Sequence, residues 1–519
     1  MNVSIAGLAT ALPDVAVEQS TALDWASRKM GHQFGGFERF AAAFENAGIR
    51  TRYAVAEPDW FEATRSWQER NDLYLSSATG LFVDAANAAL EAAGWDARAV
   101  DVVVTVSSTG IATPTLEARA FSEIGFRDDI LRVPVFGLGC AGGVSGLSIA
   151  RDLAAADRGR RVLLVAVETC TLQYRSSLPR KADIIAAALF GDGAAAVCLT
   201  SDAAEQSGHT CFVGKGVQRI WPNTLPIMGW DVGDDSLEVV FDRSIPSFID
   251  ARFQAAVEAA LATLGRRLDQ FGRVVCHPGG TKVLQAIESC LDLEPGTLDI
   301  ERDVLRDFGN MSAPTVLFVL KEVLQREPPG DLLLSALGPG FTASFIPLDR
   351  NRIVVSLAAA ALIAFLIVQR IAELVLSRRN TAALMRRGAV EFGAGHYPLI
   401  VALHVSWLAA LVAFGIGQPV SIAWLGVFVI LQALRVWTIW TLGVRWTTRI
   451  IVVDEPPVSA GPFRWVKHPN YLIVIAEIFT VPMMLGLPIV AAVFSMLNAA
   501  VLVIRIGAED AALATARRD

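Results

Sequence analysis

The chain has 519 residues, 53% of them hydrophobic and 19% charged, with a net charge of −7 and a mean hydropathy of +0.44. That composition excludes a disordered chain, a disulfide miniprotein and a polyelectrolyte tail. Residues 351–519 carry 14 basic and 8 acidic side chains, a net of +6, so the first 350 carry −13, which argues against nucleic acid as the partner of the first part.

The N-terminus, MNVSIAGLATALP, has neither a basic n-region nor a long apolar h-region, so no signal peptide is expected. All six cysteines, Cys140, Cys170, Cys198, Cys211, Cys276 and Cys290, lie in the acidic part and form no CxxC metal pair. A reducing cytoplasm with free thiols suits them. In chain order the periodicity predicts a helix over Leu81–Ala93, a strand over Val102–Val106, a helix over Val144–Ala156 and strands over Val162–Val167 and Ala194–Leu199. A helix over Phe248–Leu264, a strand over Val274–His277, helices over Thr281–Leu291 and Ala313–Leu324 and a strand over Leu332–Ala336 follow, with a turn at Arg326-Glu-Pro-Pro-Gly330. Interleaving of this kind predicts a layered α/β domain with buried strands.

Beyond Asp349-Arg-Asn-Arg352 five apolar runs appear: Ile353–Gln369, Leu399–Gly415, Val420–Leu442, Leu472–Gly486 and Leu487–Ile504. Four reach the roughly 17 residues needed to cross a bilayer. Arg370, Arg378, Arg379, Arg386 and Arg387 put the loop after the first run in the cytoplasm, as do Arg445, Arg449, Arg464 and Lys467 for the third connection and Arg517 and Arg518 for the C-terminus. With the acidic part also cytoplasmic, the first run is predicted to enter the membrane without crossing, leaving Asp349 and Arg378 on one side.

Val135-Phe-Gly-Leu-Gly-Cys-Ala-Gly-Gly-Val-Ser-Gly146 closes a strand and opens a helix, with Cys140 at the turn. Orphan N–H groups and the helix dipole there favour a thiolate, and small neighbours admit a carbonyl. The string Gly137-x-Gly139-x-x-Gly142 matches a dinucleotide fingerprint weakly, because it is mid-chain and follows a strand containing Pro134. His277, in Cys-His-Pro-Gly-Gly, ends a strand, and Asn310, in Gly-Asn-Met-Ser, opens a helix. Together the three have a chemical logic: histidine takes the thiol proton, and histidine plus asparagine hold a thioester oxyanion. The same residue order occurs in papain-like proteases, whose local signature is absent here.

With GLGCAGG around Cys140, ALFGDGAAAV at Ala188–Val197, MGWDVGDDSLEVVF at Met228–Phe241, CHPGG at His277, GNMSAPTVLF at Asn310 and GPGFT at Gly338–Thr342, residues 1–348 resemble a type III polyketide synthase of the chalcone-synthase-like thiolase fold. The resemblance implies a layered α/β/α/β/α domain, usually homodimeric, in which Cys140 carries the acyl chain and His277 and Asn310 help decarboxylate malonyl-CoA. It places Phe190 as a gatekeeper and Cys170, Gln173, Gly338, Pro339, Gly340 and Phe341 around the substrate cavity. Cys170 and Gln173 depart from the plant-type threonines. Ketoacyl-ACP synthase III shares the fold, but its histidine is usually followed by Gln-Ala-Asn, where this chain has Pro-Gly-Gly.

The membrane part, residues 349–519, concentrates its chemistry in Gly461-Pro-Phe-Arg-Trp-Val-Lys-His-Pro-Asn-Tyr471 and Val501-Leu-Val-Ile-Arg-Ile-Gly-Ala-Glu509. Interfacial anchoring accounts for Trp465 and Lys467, but poorly for His-Pro-x-Tyr or an intrahelical Arg505/Glu509 pair. With QRIAELVLSRRN at Gln369–Asn380 and GHYP at Gly395–Pro398, it resembles the isoprenylcysteine carboxyl methyltransferase-like membrane family, all-α and multi-span. The resemblance implies S-adenosylmethionine binding by His468, Tyr471, Arg505 and Glu509, with no metal. The combined expectation is an inner-membrane, multi-pass bifunctional enzyme. It condenses an acyl-CoA starter with malonyl-CoA to an alkylpyrone or alkylresorcinol, then O-methylates the ring. The alternatives are a synthase with a non-catalytic anchor and a ketoacyl-ACP synthase.

Overall fold

The computed structural model describes every residue except 31–37, 175–179, 203–210, 327–329, 351–356, 419, 454, 455, 457 and 517–519. The centre of the turn expected at Arg326–Gly330, the first residues of the Ile353–Gln369 run, and Arg517 and Arg518 lie outside the described residues. Two compact units divide the chain, Met1–Arg352 and Ile353–Asp519.

The first unit is built on a ten-stranded sheet. Its strands are β1 (Ser4–Ala11), β2 (Val102–Val106), β3 (Leu131–Val135), β4 (Arg161–Thr169), β5 (Asp192–Thr200), β6 (Cys211–Val213), β7 (Val217–Ile220), β8 (Phe271–Cys276), β9 (Asp331–Gly338) and β10 (Thr342–Arg350). Spatial order is β8-β9-β10-β6-β1-β5-β4-β2-β3, with β7 on β10. Outward from the central β1/β6 pair the pattern repeats. β1 pairs antiparallel with β5, β5 antiparallel with β4, and β4 parallel with β2. β6 pairs antiparallel with β10, β10 antiparallel with β9, and β9 parallel with β8. The fold thus repeats a four-strand pattern on either side of that pair, with β3 added at one edge and β7 on β10 in the other half, a symmetry carried by topology and not by sequence self-similarity.

Alternation along the strands sorts side chains between layers. Val102, Val104, Leu164, Val197, Leu334 and Ile346 face a central core with α2 (Gly142–Ala156) and α7 (Thr315–Gln325), two helices buried between the halves. Val103, Leu163, Val165 and Ala196 face outward to α1 (Trp67–Ala93). Val274, Leu333 and Phe345 face outward to α4 (Ile245–Thr263) and α5 (Thr281–Cys290). The layers α/β/α/β/α are those of the thiolase fold. Helix α1 begins 14 residues before the expected Leu81, because Ser66 and Glu69 form a reciprocal capping box that starts a polar first half. Between α2 and α4 lies α3 (Lys181–Leu189), and α6 (Asp299–Phe308) follows α5. β3, the strand that contains Pro134, lies at the sheet edge, where proline is tolerated.

The second unit has five apolar helices: α8 (Leu357–Met385), α9 (Tyr397–Gly415), α10 (Ile422–Leu442), α11 (Pro469–Met484) and α12 (Pro488–Ala516). Among the described residues, the helices at 357–385, 394–415, 422–445 and 488–509 are long and apolar enough to cross a membrane; α11, with 16 residues, is shorter. The first run, expected to stop near Gln369 without crossing, instead continues for 29 residues, so its length gives no reason for it to stop short. Arg370, the charge that follows the Ile353–Gln369 run, is paired inside the unit. Arg370 bonds Glu373 Oε2 at 2.8 Å and Glu477 Oε2 at 2.5 Å.

Candidate active sites

Cys140 occupies a tight turn, Gly139–Ala141, between β3 and α2. Glycine is required on both sides of a close approach here. A Cβ on Gly139, where φ is +47°, would stand 2.8 Å from Pro339 Cδ, and one on Gly338 would stand 2.7 Å from the Ala141 nitrogen. The Gly338-Pro-Gly-Phe341 turn therefore presses on the nucleophile turn. On the helix side, a Cβ on Gly143 would lie 2.3 Å from the Ala313 carbonyl oxygen. That contact brings the segment after Asn310 against the start of α2.

His277 follows β8, its N–H donating to Ser335 O at 3.0 Å. Its ring is buried, and neither ring nitrogen has a partner among the described residues. The Asn310 carboxamide accepts from the Ser312 N–H at 2.8 Å and donates to Gly279 O at 3.4 Å, linking the histidine turn to the segment beside Cys140. The Asn310 backbone ties the same segment to Phe190: its N–H donates to Leu189 O at 2.9 Å, and its carbonyl accepts from Gly191 N–H at 3.0 Å.

Burial pushes the Cys140 thiol up to about 11, against donation by Ser312 and Asn310 side chains. Burial pushes His277 down to about 3. Desolvation here outweighs the helix-terminus stabilisation expected for a thiolate. Proton transfer from thiol to imidazole would create both charges together, so each offsets the other's desolvation. An orphaned buried donor or acceptor costs about 1–3 kcal/mol. Two on one imidazole mark a place where a ligand oxygen is expected to complete the bonding.

Of the residues expected around the cavity, Cys170 and Phe190 share one buried cluster, with the Phe190 ring 6.0 Å from Trp230 and 6.3 Å from Phe241. Gln173 is buried and fully engaged, donating to Thr109 O at 2.8 Å and accepting from Leu237 N–H at 3.0 Å. Phe341 stacks on Trp221 at 5.8 Å and packs edge-on to Phe248 at 5.5 Å, within the outer core beneath α4. Two residues beside Cys140 were not singled out from sequence. Ser312 donates to the thiol, and Glu168 raises the thiol's proton affinity by its charge. Glu168 accepts from Ser108 N–H at 2.9 Å and Thr109 Oγ1 at 2.8 Å, and burial pushes its carboxyl up to about 8.

In the second unit α11 and α12 bring His468, Tyr471, Arg505 and Glu509 into one cluster. The Tyr471 hydroxyl donates to Glu509 Oε2 at 2.5 Å and accepts from Arg505 Nε at 2.9 Å. The His468 ring stacks on Tyr471 at 5.2 Å, and its Nδ1 is 3.7 Å from Glu509 Oε2. Arg505 and Glu509 thus meet through Tyr471. Tyr471 and Arg505 line a cavity of about 310 Å³, at the small end of ligand pockets. Its walls are largely Ile, Leu and Val, and it also takes in Arg370, Glu373, His404, Arg435 and Asn470. His468 Nε2 and Asn470 Oδ1 are buried without partners among the described residues. A cation, a phenol and unpartnered polar atoms beside an apolar cavity fit a cofactor that carries a carboxylate, an amine and a heterocycle. Sequence reasoning missed Arg370, Glu373, Arg435 and Glu477, although an ionisable residue inside an apolar run is itself a signal.

Family models match in three segments: chalcone and stilbene synthases, N-terminal domain, at residues 2–203, their C-terminal domain at 213–345, and the isoprenylcysteine carboxyl methyltransferase family at 424–515. The chain is 38% identical over 307 residues to a 1,3,6,8-tetrahydroxynaphthalene synthase of Streptomyces peucetius subsp. caesius, covering 58% of this chain and 81% of that protein. It is 30% identical over 354 residues to a putative chalcone synthase of Bacillus subtilis strain 168, covering 66% and 97% respectively. The membrane part is 40% identical over 158 residues to the uncharacterized protein YpbQ of the same Bacillus strain, covering 29% and 94%. Among solved structures, the C-terminal type III polyketide synthase domain of the Dictyostelium hybrid Steely1 superposes with a TM-score of 0.63 at 26% identity, covering 67% of this chain and 99% of that one.

Proposed function

Because the chain belongs to the type III polyketide synthases of the chalcone and stilbene synthase family and carries an isoprenylcysteine carboxyl methyltransferase family domain, we propose that it makes a lipid polyketide and then methylates it. Cys140 takes the acyl group of a long-chain acyl-CoA starter. His277, whose two ring nitrogens have no partner among the described residues, and Asn310 bind the thioester oxygen of malonyl-CoA and stabilise the enolate left by decarboxylation. The product is an alkylpyrone or an alkylresorcinol. The buried environment of Cys140 and His277 keeps water from competing for the thioester.

In the membrane unit, His468, Tyr471, Arg505 and Glu509 hold S-adenosylmethionine, which supplies an activated methyl group. Arg505 offers its guanidinium to the carboxylate, while Glu509 accepts from the amine. The acceptor is a ring hydroxyl of the polyketide, reached from the bilayer. The unit resides in the cell membrane, with the synthase half in the cytoplasm where its CoA substrates are, and that half self-associates as a homodimer.

One observation carries this reading: a buried Cys/His/Asn set and an intact Tyr471–Arg505–Glu509 cluster occur in one chain, while relatives of the two parts exist as separate proteins in one Bacillus strain. Fusion of separately encoded proteins fits consecutive steps. The likeness to a tetrahydroxynaphthalene synthase supports a second reading, a tail-free polyhydroxyaromatic made from malonyl units alone. The apolar membrane unit weighs against it, since a tail-free product has no reason to enter the bilayer. Mass spectrometry of lipids from a host expressing the full chain separates the two. The expected result is an alkylated ring bearing one added methyl, and its unmethylated form alone from Glu509→Ala. A water-soluble tail-free product would overturn the alkyl reading.

A further inference from the structure

We propose that His404 is the proton acceptor for the methyl-accepting ring hydroxyl, so that the membrane cavity is built for an amphiphile whose hydroxyl is an ordinary, un-ionised phenol. This rests on the reading of that cavity as a methyl-transfer site and names its acceptor chemistry.

The cavity has a division of labour among its walls. Tyr471, Asn470 and Arg505 come from α11 and α12, the helices that carry the cofactor-type cluster. His404 comes from α9 with Ile400, Val401, Val405 and Leu408, so it stands on an apolar wall suited to an alkyl tail. Its Nδ1 is buried and has no hydrogen-bond partner among the described residues. An orphaned imidazole nitrogen costs about 1–3 kcal/mol unless a ligand completes it.

The charged groups facing His404 are Arg370 and Glu373 of α8, Arg435 of α10 and Arg505 of α12. Arg435 bonds both Glu373 oxygens at 2.8 and 3.0 Å and also pairs with Glu477. Arg370 bonds the same two carboxylates. Two arginines and two carboxylates close an alternating ring with no net charge. Glu373, the carboxylate among the described residues lining the cavity, is therefore committed to arginine, and Glu509 nearby accepts from the Tyr471 hydroxyl. Among the described groups that line the cavity, His404 is the ionisable side chain whose nitrogen is left without a partner to receive a proton.

The step balances without another reactant. The ring oxygen forms its bond to the methyl carbon as the methyl–sulfur bond breaks, the electron pair staying on sulfur. The hydroxyl proton passes to Nδ1 of His404. A phenol with the usual value near 10 is ionised in only about one molecule in a thousand at pH 7, and a positioned base contributes about 10²–10⁴-fold.

The test uses full-length enzyme in detergent micelles with S-adenosylmethionine and two acceptors. One is a 5-alkylresorcinol; the other is a 6-alkyl-4-hydroxy-2-pyrone, whose acidic enol is already ionised at pH 7. For His404→Ala and His404→Gln we expect transfer to the resorcinol at pH 7 to fall at least ~100-fold. The variants' rate should recover about tenfold per pH unit up to pH 9 as the phenol ionises. Transfer to the pyrone, where wild type accepts it, should fall less than ~10-fold, and S-adenosylmethionine binding by titration should be unchanged. Wild-type rates in both variants, an equal loss on both acceptors at every pH, or loss of cofactor binding would overturn the role of His404. Wild-type transfer to the pyrone alone would overturn it while leaving the methyl-transfer reading intact. No transfer by wild type to either acceptor would overturn that reading, and this inference with it.

Discussion

Cys140 shares its site with another buried titratable group, Glu168, that sequence alone did not bring forward. Cys140, His277 and Asn310 were legible because each sits where a strand or helix ends, within or beside a glycine-containing turn. Glu168 was not, because it ends a strand of ordinary apolar residues and its setting is made by Ser108 and Thr109, about sixty positions away. Cys140→Ser is expected to abolish condensation and the mass increment left by acyl-CoA on intact protein; an adduct on Cys170 or Cys276 instead would refute the assignment. Glu168 yields a pH prediction. Its folded value of about 8 is raised from the usual 4.5 by burial, so the folded chain binds this proton more tightly than the unfolded one. The stability it contributes is present below about 4.5 and is lost as pH rises to about 8, at up to about 1.4 kcal/mol per unit. Glu168→Gln keeps the neutral shape and should flatten that decline. Thermal unfolding of the synthase unit between pH 5 and 9 measures it, and an unchanged slope would refute it.

At the scale of elements, periodicity located most helices and the central strands to within a few residues, since their cores alternate or repeat as buried elements must. It failed where a long-range partner changes the cost of a residue. The polar start of α1 forms because Ser66 and Glu69 cap it. The first apolar run was ended at Arg370, whereas α8 continues through Arg370 and Glu373 because α10 and α11 supply Arg435 and Glu477. Glu477 is fully buried and accepts from Arg370, Arg435 and Gln432, the last at 2.7 Å. Removing it leaves two buried cations sharing one carboxylate, the situation that costs about 3–5 kcal/mol when a buried pair is broken. Glu477→Ala should therefore lower the melting temperature of the membrane unit in detergent far more than the exposed charge change Arg387→Ala. Equal melting would mean that the ring contributes little to holding α8, α10 and α11 together.

On the scale of the whole molecule, the division into an acidic part and a basic, apolar part was readable from charge and hydropathy alone. The duplicated sheet was not, because its two halves share strand order without sharing residues. Joining the parts has a physical consequence if the product carries an alkyl tail. Each methylene adds about 0.8 kcal/mol toward the bilayer, so a fifteen-carbon tail brings on the order of 10 kcal/mol and takes the product from water into lipid. A methyltransferase embedded in that lipid then meets it at the raised effective concentration that tethering gives. Condensation should need nothing from the membrane, since Cys140, His277, Asn310 and all ten strands of the sheet lie within residues 1–350. Residues 1–348 expressed alone should therefore remain soluble and turn acyl-CoA and malonyl-CoA into unmethylated polyketide at a rate within a few-fold of the full chain. The product should partition into added vesicles. Adding residues 349–519 as a separate chain in those vesicles should restore methylation, but more slowly than the fused protein does at equal dilution, with the gap widening as both are diluted. Condensation that appears only when the membrane part is present would contradict two separable active sites, and equal methylation by split and fused chains at every dilution would remove the advantage assigned to fusion.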